Sequence, residues 1–116
     1  MRILNLTQHP ATLEQIAAGV EEPVDKAAVQ KLLTFDTLPS VEDIAKRAGN
    51  LAAMVREHDA AMIGGAGYLM GPLEYALREL GVVALHAFSV RESVESVQAD
   101  GSVKKTQVFR HAGFVG

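Results

Sequence analysis

Short apolar runs and longer amphipathic runs take turns along this chain, and their two periods predict its elements. "RILNL", Arg2 to Leu6, reads as a strand. Thr12 and Gln15 have the spacing of a capping box, so "LEQIAA" predicts a short helix that Gly19 closes. His9 precedes Pro10, which biases it towards extended or turn geometry and places Thr7, Gln8 and His9 in a loop after the strand. Val29, Leu32 and Leu33 suit one face of a helix from about Asp25 to Leu33, with strand geometry open near Val24. Ser40 and Asp43 cap a helix read from Val41 to about Glu57, along which Ile44, Ala48, Leu51 and Val55 follow the helical period.

"AAMI" reads as a buried strand running into the glycine-rich "MIGGAGYLMG", Met62 to Gly71. Leu69, Leu73, Leu77 and Leu80 form the apolar stripe of a further helix, which either starts at Pro72 or starts near Ala66 and bends there. "VVALHAF" is another core-like strand. "RESVESVQADGSVKKTQVF" predicts a hairpin, with Asp100-Gly101 suited to a type I′ turn. The alternation predicts one α/β domain over residues 1–116. Its sheet is mostly parallel, Rossmann-like and flanked by helices, and it ends in a C-terminal β-hairpin.

Composition narrows the function classes. There is no cysteine, which removes disulfides, thiol chemistry and sulfur-ligated metal. No apolar run is long enough to span a bilayer and the first residues lack a signal-peptide core, so a soluble cytoplasmic protein without a membrane partner is expected. Net charge is -3, with six Lys or Arg against nine Asp or Glu up to Asp59 and five of each thereafter. That balance argues against coating long nucleic acid, where many phosphates must be neutralised, but leaves room for a local anion site.

The glycines miss the dinucleotide fingerprint: after Gly65 and Gly67 the third glycine, Gly71, is one place late. No Lys-Ser or Lys-Thr follows, so a Walker loop is excluded as well. Gly64, Gly65, Ala66 and Gly67 at a strand-to-helix turn either offer backbone N–H groups to an anion or let the chain turn tightly over its own sheet. Tyr68 is placed to stack on a base or to pack in the core. His9, with Asn5 and Thr7, falls at the C-terminal edge of a parallel strand, where open α/β sheets bind ligands. Ser89 and Arg91 are expected near the same edge, Arg91 offering bidentate donors or else an ion pair with a nearby glutamate. Lys104, Lys105, Arg110 and His111 form a basic patch, read either as a ligand contact or as a lysine-protected edge strand. The histidines have no metal-ligand spacing, and no cofactor or metal is expected.

"LNLTQHPATLEQ", "MIGGAGYLM", "ALHAFSVRESVE" and "DGSVKKTQVFRHAGFV" together resemble small CRISPR-associated proteins of the CARF-like, ring-nuclease class. The middle segment "DKAAVQKLLTFDTLPS" has no counterpart in that pattern. The resemblance implies a homodimer that binds cyclic oligoadenylate and cleaves it without metal, by attack of a ribose 2′-OH on the neighbouring phosphate. It implies catalytic roles for His9, Ser89 and Arg91. Ligand contacts are implied at Thr7, Gln8, Gly64–Tyr68, Lys105, Thr106, Arg110 and His111, and Asn5, a polar residue inside the apolar strand at the same edge, is a further candidate for a phosphate or ribose contact. A non-catalytic binding protein and a structural interaction module are the alternatives.

Overall fold

The computed structural model describes all of residues 1–116. Two four-residue runs, Ile3–Leu6 (β1) and Ala60–Ile63 (β3), are buried at every position and pair in parallel, with Leu6 level with Ile63. Their lack of alternation follows from burial on both faces. Leu13–Ala17 (α1) returns the chain to Val20–Glu21 (β2), a two-residue strand parallel to β1. Thr12 and Gln15 cap α1 reciprocally, as their spacing predicts, and Gly19 closes the turn at a φ of 110°.

Helices Lys26–Leu33 (α2), Val41–Ala53 (α3) and Gly67–Glu79 (α4) cover one face of the sheet. Leu4, Leu6, Ala61 and Ile63 of the sheet meet Val29, Leu33, Leu51, Leu69, Leu73 and Leu77 there. The opposite face, here termed the α1 side, buries a smaller apolar cluster of Ile3, Val20, Ala60 and Met62, with Ala11, Leu85 and Phe114 packed against it.

Val83–Val97 (β4) runs parallel to β3 and then antiparallel to Val103–Val115 (β5), giving the order β2-β1-β3-β4-β5. This is a mostly parallel mixed sheet with an antiparallel C-terminal pair, flanked by helices. No helix is long and apolar enough to cross a membrane.

Three details differ from the sequence expectation, and one open choice is resolved. Helix α3 stops at Ala53 instead of Glu57, because Val55 turns into the core and Glu57 reverses the chain at a φ of 60°. The short strand lies at Val20, not Val24. Of the two expected starts for α4, the longer holds: it begins at Gly67 and carries Pro72 inside it. The hairpin loop is longer than a type I′ turn, in which Asp100 would need a positive φ; only Gly101, at 87°, has one. The Gly101 N–H reaches Gln98 O and the Gln98 N–H reaches Ser102 O, which is a three-residue loop closed by a glycine bulge.

The hairpin continues past the predicted Arg91–Phe109 segment, and β5 stays paired with β4 down to Val115. From Ser89 and His111 to its tip it extends beyond every other element, leaving the body at a bulge after Phe88 that strands Ala112 without a partner. The radius of gyration is consequently 17.1 Å and the extents 57 × 35 × 23 Å, against about 13 Å expected for a compact chain of this size.

Candidate functional site

Parallel strands β1 and β3 end level with one another, so Thr7 and Gly64 leave the sheet side by side. A Cβ built on Gly64 would stand 3.6 Å from the Thr7 methyl group. The order places β2 on one side of β1 and β3 on the other, and the chain therefore diverges above this edge. In open α/β sheets that divergence opens a crevice.

Asn5 organises the β1 half of the edge. It is 0% exposed and satisfies its whole hydrogen-bonding capacity. Its Nδ2 donates to His9 O at 2.8 Å and to the Glu22 carboxylate at 3.0 Å, while its Oδ1 accepts from the Thr7 N–H at 3.0 Å and from Thr7 Oγ1 at 2.6 Å. Glu22 also accepts from the Ala11 N–H at 2.7 Å. Lys26 Nζ donates to Thr7 O at 2.7 Å and lies 3.2 Å from Glu22 Oε1. Burial pushes the Glu22 carboxyl upward, but the bonds from Ala11, Asn5 and Lys26 outweigh it and hold the group below its ordinary value. Gln8 is pinned to α2, with its Nε2 on Thr34 Oγ1 at 3.0 Å and its carbonyl accepting from Gln30 Nε2 at 2.9 Å.

The loop from Thr7 to Pro10 is therefore preformed. His9 enters this network through its carbonyl, and its side chain lies exposed at the rim. Glu22 and Lys26 were not picked out by sequence reasoning. An asparagine inside an apolar strand, which must find partners, was the available signal.

The β3 half of the edge is the glycine turn. Gly65 adopts a φ of 145°, a region that favours glycine. Added side-chain bulk would meet only Leu33 and Met70 at ordinary contact, so backbone conformation and not space demands glycine here. Ala66 caps α4 without a side-chain hydrogen bond, leaving the first-turn N–H groups of Gly67 and Tyr68 to other acceptors. Tyr68 is 51% exposed, its ring edge-on to Phe35 at 5.1 Å. The Arg47 guanidinium lies 4.2 Å over the other partner in that stack, Phe35.

The structure thus brings Asn5, Thr7, Gln8 and His9 together with Gly64, Gly65, Ala66, Gly67 and Tyr68. It does not bring the remaining candidates to them within one chain. His86 is level with Ile63, and Ser89 and Arg91 lie three and five residues farther along β4. That puts them about 10 and 17 Å beyond the strand ends. Convergence of Ser89 and Arg91 with His9 was expected because the strand "VVALHAF" was read as ending at Phe88; it continues instead as the arm. Arg91 lies over the Phe109 ring at 5.5 Å and makes no ion pair with Glu92 or Glu95. Those glutamates face the basic patch: Arg110 Nε is 3.1 Å from Glu92 and Lys105 Nζ 3.7 Å from Glu95. His111 stacks on Phe114 with ring centroids 4.7 Å apart.

Two further histidines occupy polar contacts elsewhere. His86 Nε2 is 2.7 Å from Glu74 Oε1, beside a shallow cleft of about 390 Å³ between α4 and the β4–β5 root. At the N-terminal edge of the strands, Arg2 grips Glu21 through two bonds of 2.9 Å and donates to Glu57 O. His58 Nε2 lies 3.4 Å from the same Glu21 carboxylate. Hydrogen bonding from Arg2 is the main reason that Glu21 is pulled down to about 2. No group of three or more metal-ligating side chains is present.

Fold and edge together define an α/β protein with a preformed loop and an uncapped helix start at the divergence of its parallel strands. By sequence, residues 1–115 match the model of the Uncharacterized protein MJ1673 family, and the chain belongs to that family. No curated protein and no solved structure matches it.

Proposed function

We propose that this chain binds a phosphate-bearing nucleotide, specifically cyclic oligoadenylate, across the edge between β1 and β3 of a Rossmann-like sheet. The observation that carries this reading is the position of the two loops at the point where the strand order diverges, the place where doubly wound sheets take nucleotides. Gly67 and Tyr68 offer N–H groups and a helix-start dipole to a phosphate. Tyr68 offers an exposed ring to a base, and His9 an exposed imidazole at the rim. The resemblance of "LNLTQHP", "GGAGY" and "SVRE" to ring-nuclease-class proteins selects the cyclic ligand.

Binding is favoured over turnover by the placement of Arg91. Cleavage would form a bond from the ribose 2′ oxygen to phosphorus and break the bond to the 5′ oxygen. His9 would move the proton, and a cation would stabilise the added charge on the phosphate. Within one chain Lys26 is consumed by Thr7, His9 and Glu22, and Arg91 stands away on the arm.

Calorimetric titration with cyclic tetra- and hexa-adenylate in EDTA, followed by chromatography of the mixture, tests both steps. Saturable binding weakened by Tyr68→Ala supports the site. Linear products lost in His9→Ala would establish cleavage. Failure of either ring to bind sinks the proposal.

A further inference from the structure

We propose that the α1-side face of the β4–β5 arm is a self-association surface, and that its occupant is a second copy of this chain packed face to face about a two-fold axis running along the arms. The inference is independent of the nucleotide reading.

An isolated two-stranded hairpin is at best marginally stable in water. Here nine residue pairs, from Ser89↔His111 to Val97↔Val103, stand outside the body. They nonetheless expose large apolar side chains, including Phe109 at 67% and Val97 at 77%. Period-two alternation assigns the faces. Phe114 packs against the α1-side core, and His111 stacks on Phe114, so Ser89/His111 lie on the α1 side. Arg91/Phe109, Glu95/Lys105 and Val97/Val103 follow on the same side. At the root of the arm this face is open, because α1 packs beside β2 at the far end of the sheet. The opposite face is bounded at its root by α4.

The side chains on this face are complementary to themselves. A two-fold axis along the arms lays β4 of one copy over β5 of the other, so residues level with each other in one arm meet across the interface. Glu95 then faces a second Lys105, and Arg91 faces a second Phe109, while the Val97/Val103 pairs meet at the tip. Edge-to-edge joining of two β5 strands about an axis along the arms would instead oppose Lys104, Lys105 and Arg110 to their own copies, which is repulsive.

Size sets the strength. Two strands from Leu85 to Val97 and their partners present a footprint of about 400 Å² per copy, or roughly 800 Å² in all. That is below the roughly 1,000 Å² of stable specific interfaces, so the dimer is a weak one that forms at high protein concentration.

Sedimentation equilibrium of the full chain without nucleotide, up to about 100 µM, tests the proposal. The expected species has twice the 12.4 kDa of one chain. Phe109→Asp should shift it to monomer with an unchanged circular dichroism spectrum, because Phe109 lies outside the core. Glu95→Lys should raise the dissociation constant about tenfold, and adding Lys105→Glu should restore it. Val90→Asp, on the other face of the arm, should leave the dimer intact. A monomeric wild-type chain, a dimer that survives Phe109→Asp, or one broken as readily by Val90→Asp would each overturn the assignment.

Discussion

Single residues decide where this molecule is brittle. Asn5 is buried and spends both donors and both lone pairs on holding the Thr7–Pro10 loop. Asn5→Ala should cost about 1–3 kcal/mol, since it deprives several part-buried groups of a partner at once. The urea midpoint should fall with an unchanged m-value; a loss below about 0.5 kcal/mol would place the loop's stability elsewhere. Asn5→Asp should be worse at neutral pH, with its carboxylate against Glu22, and should recover as the pH falls.

Glu21 behaves in the opposite sense. Its carboxyl sits at about 2 in the folded chain against an ordinary 4.5, so on acidification the unfolded chain takes up the proton first. The contribution of the Arg2 pair is complete above the ordinary value and disappears as the pH drops through about 2. Both side chains are about half exposed, so the pair is a modest, salt-screened one. Thermal melts of Glu21→Gln should show a shallower acid slope than wild type in that window. Parallel slopes would remove the ion pair from the acid response.

At the scale of elements, periodicity carried most of the information. Helices α2, α3 and α4 and strands β1 and β3 follow from apolar spacing, because each buries a face or a whole run in one core. The capping box at Thr12 and Gln15 marked α1 for the same local reason. What periodicity did not carry was β2, two residues long and defined only by pairing with β1, and the true end of β4. Nothing in "AFSVRE" marks where β3 stops accompanying β4, because that boundary is a property of β3. The loop half of the candidate edge was readable from Asn5, His9 and the glycines. The arm's distance from it was not.

Pro72 was ambiguous from spacing alone and proves to be the sixth residue of α4. Proline there leaves the carbonyl of Tyr68 without its helical donor. Pro72→Ala should therefore stabilise the chain by about 1–3 kcal/mol. If the same variant also weakens nucleotide binding, the proline serves to orient Tyr68 at the edge. A destabilised variant would mean that the proline ring packs productively.

The whole molecule combines two bodies of unequal security. Strand β4 belongs to both: Val83 to His86 pair with β3 inside the five-stranded sheet, His86 also with Val115 of β5, whereas the stretch from Ser89 to Val97 is paired with β5 alone. Leu69, Leu73 and Leu77 lock the first part beneath α4. The second part has no layer on either face within one chain. Amide exchange should therefore break near Phe88. Amides of Ala84 to His86 should exchange only on global unfolding, and those of Arg91 to Val97 by local opening of the arm, roughly a hundredfold or more faster in dilute solution. Face-to-face association adds a second layer to the arm without touching the sheet interior. Raising the protein concentration should slow exchange in Arg91–Val97 and in Lys104–Arg110 while leaving Ala84–His86 unchanged, and Phe109→Asp should abolish that dependence. Uniform protection along β4 at every concentration would mean that the arm is secured within a single chain. Its exposed phenylalanine and valines would then need a different explanation.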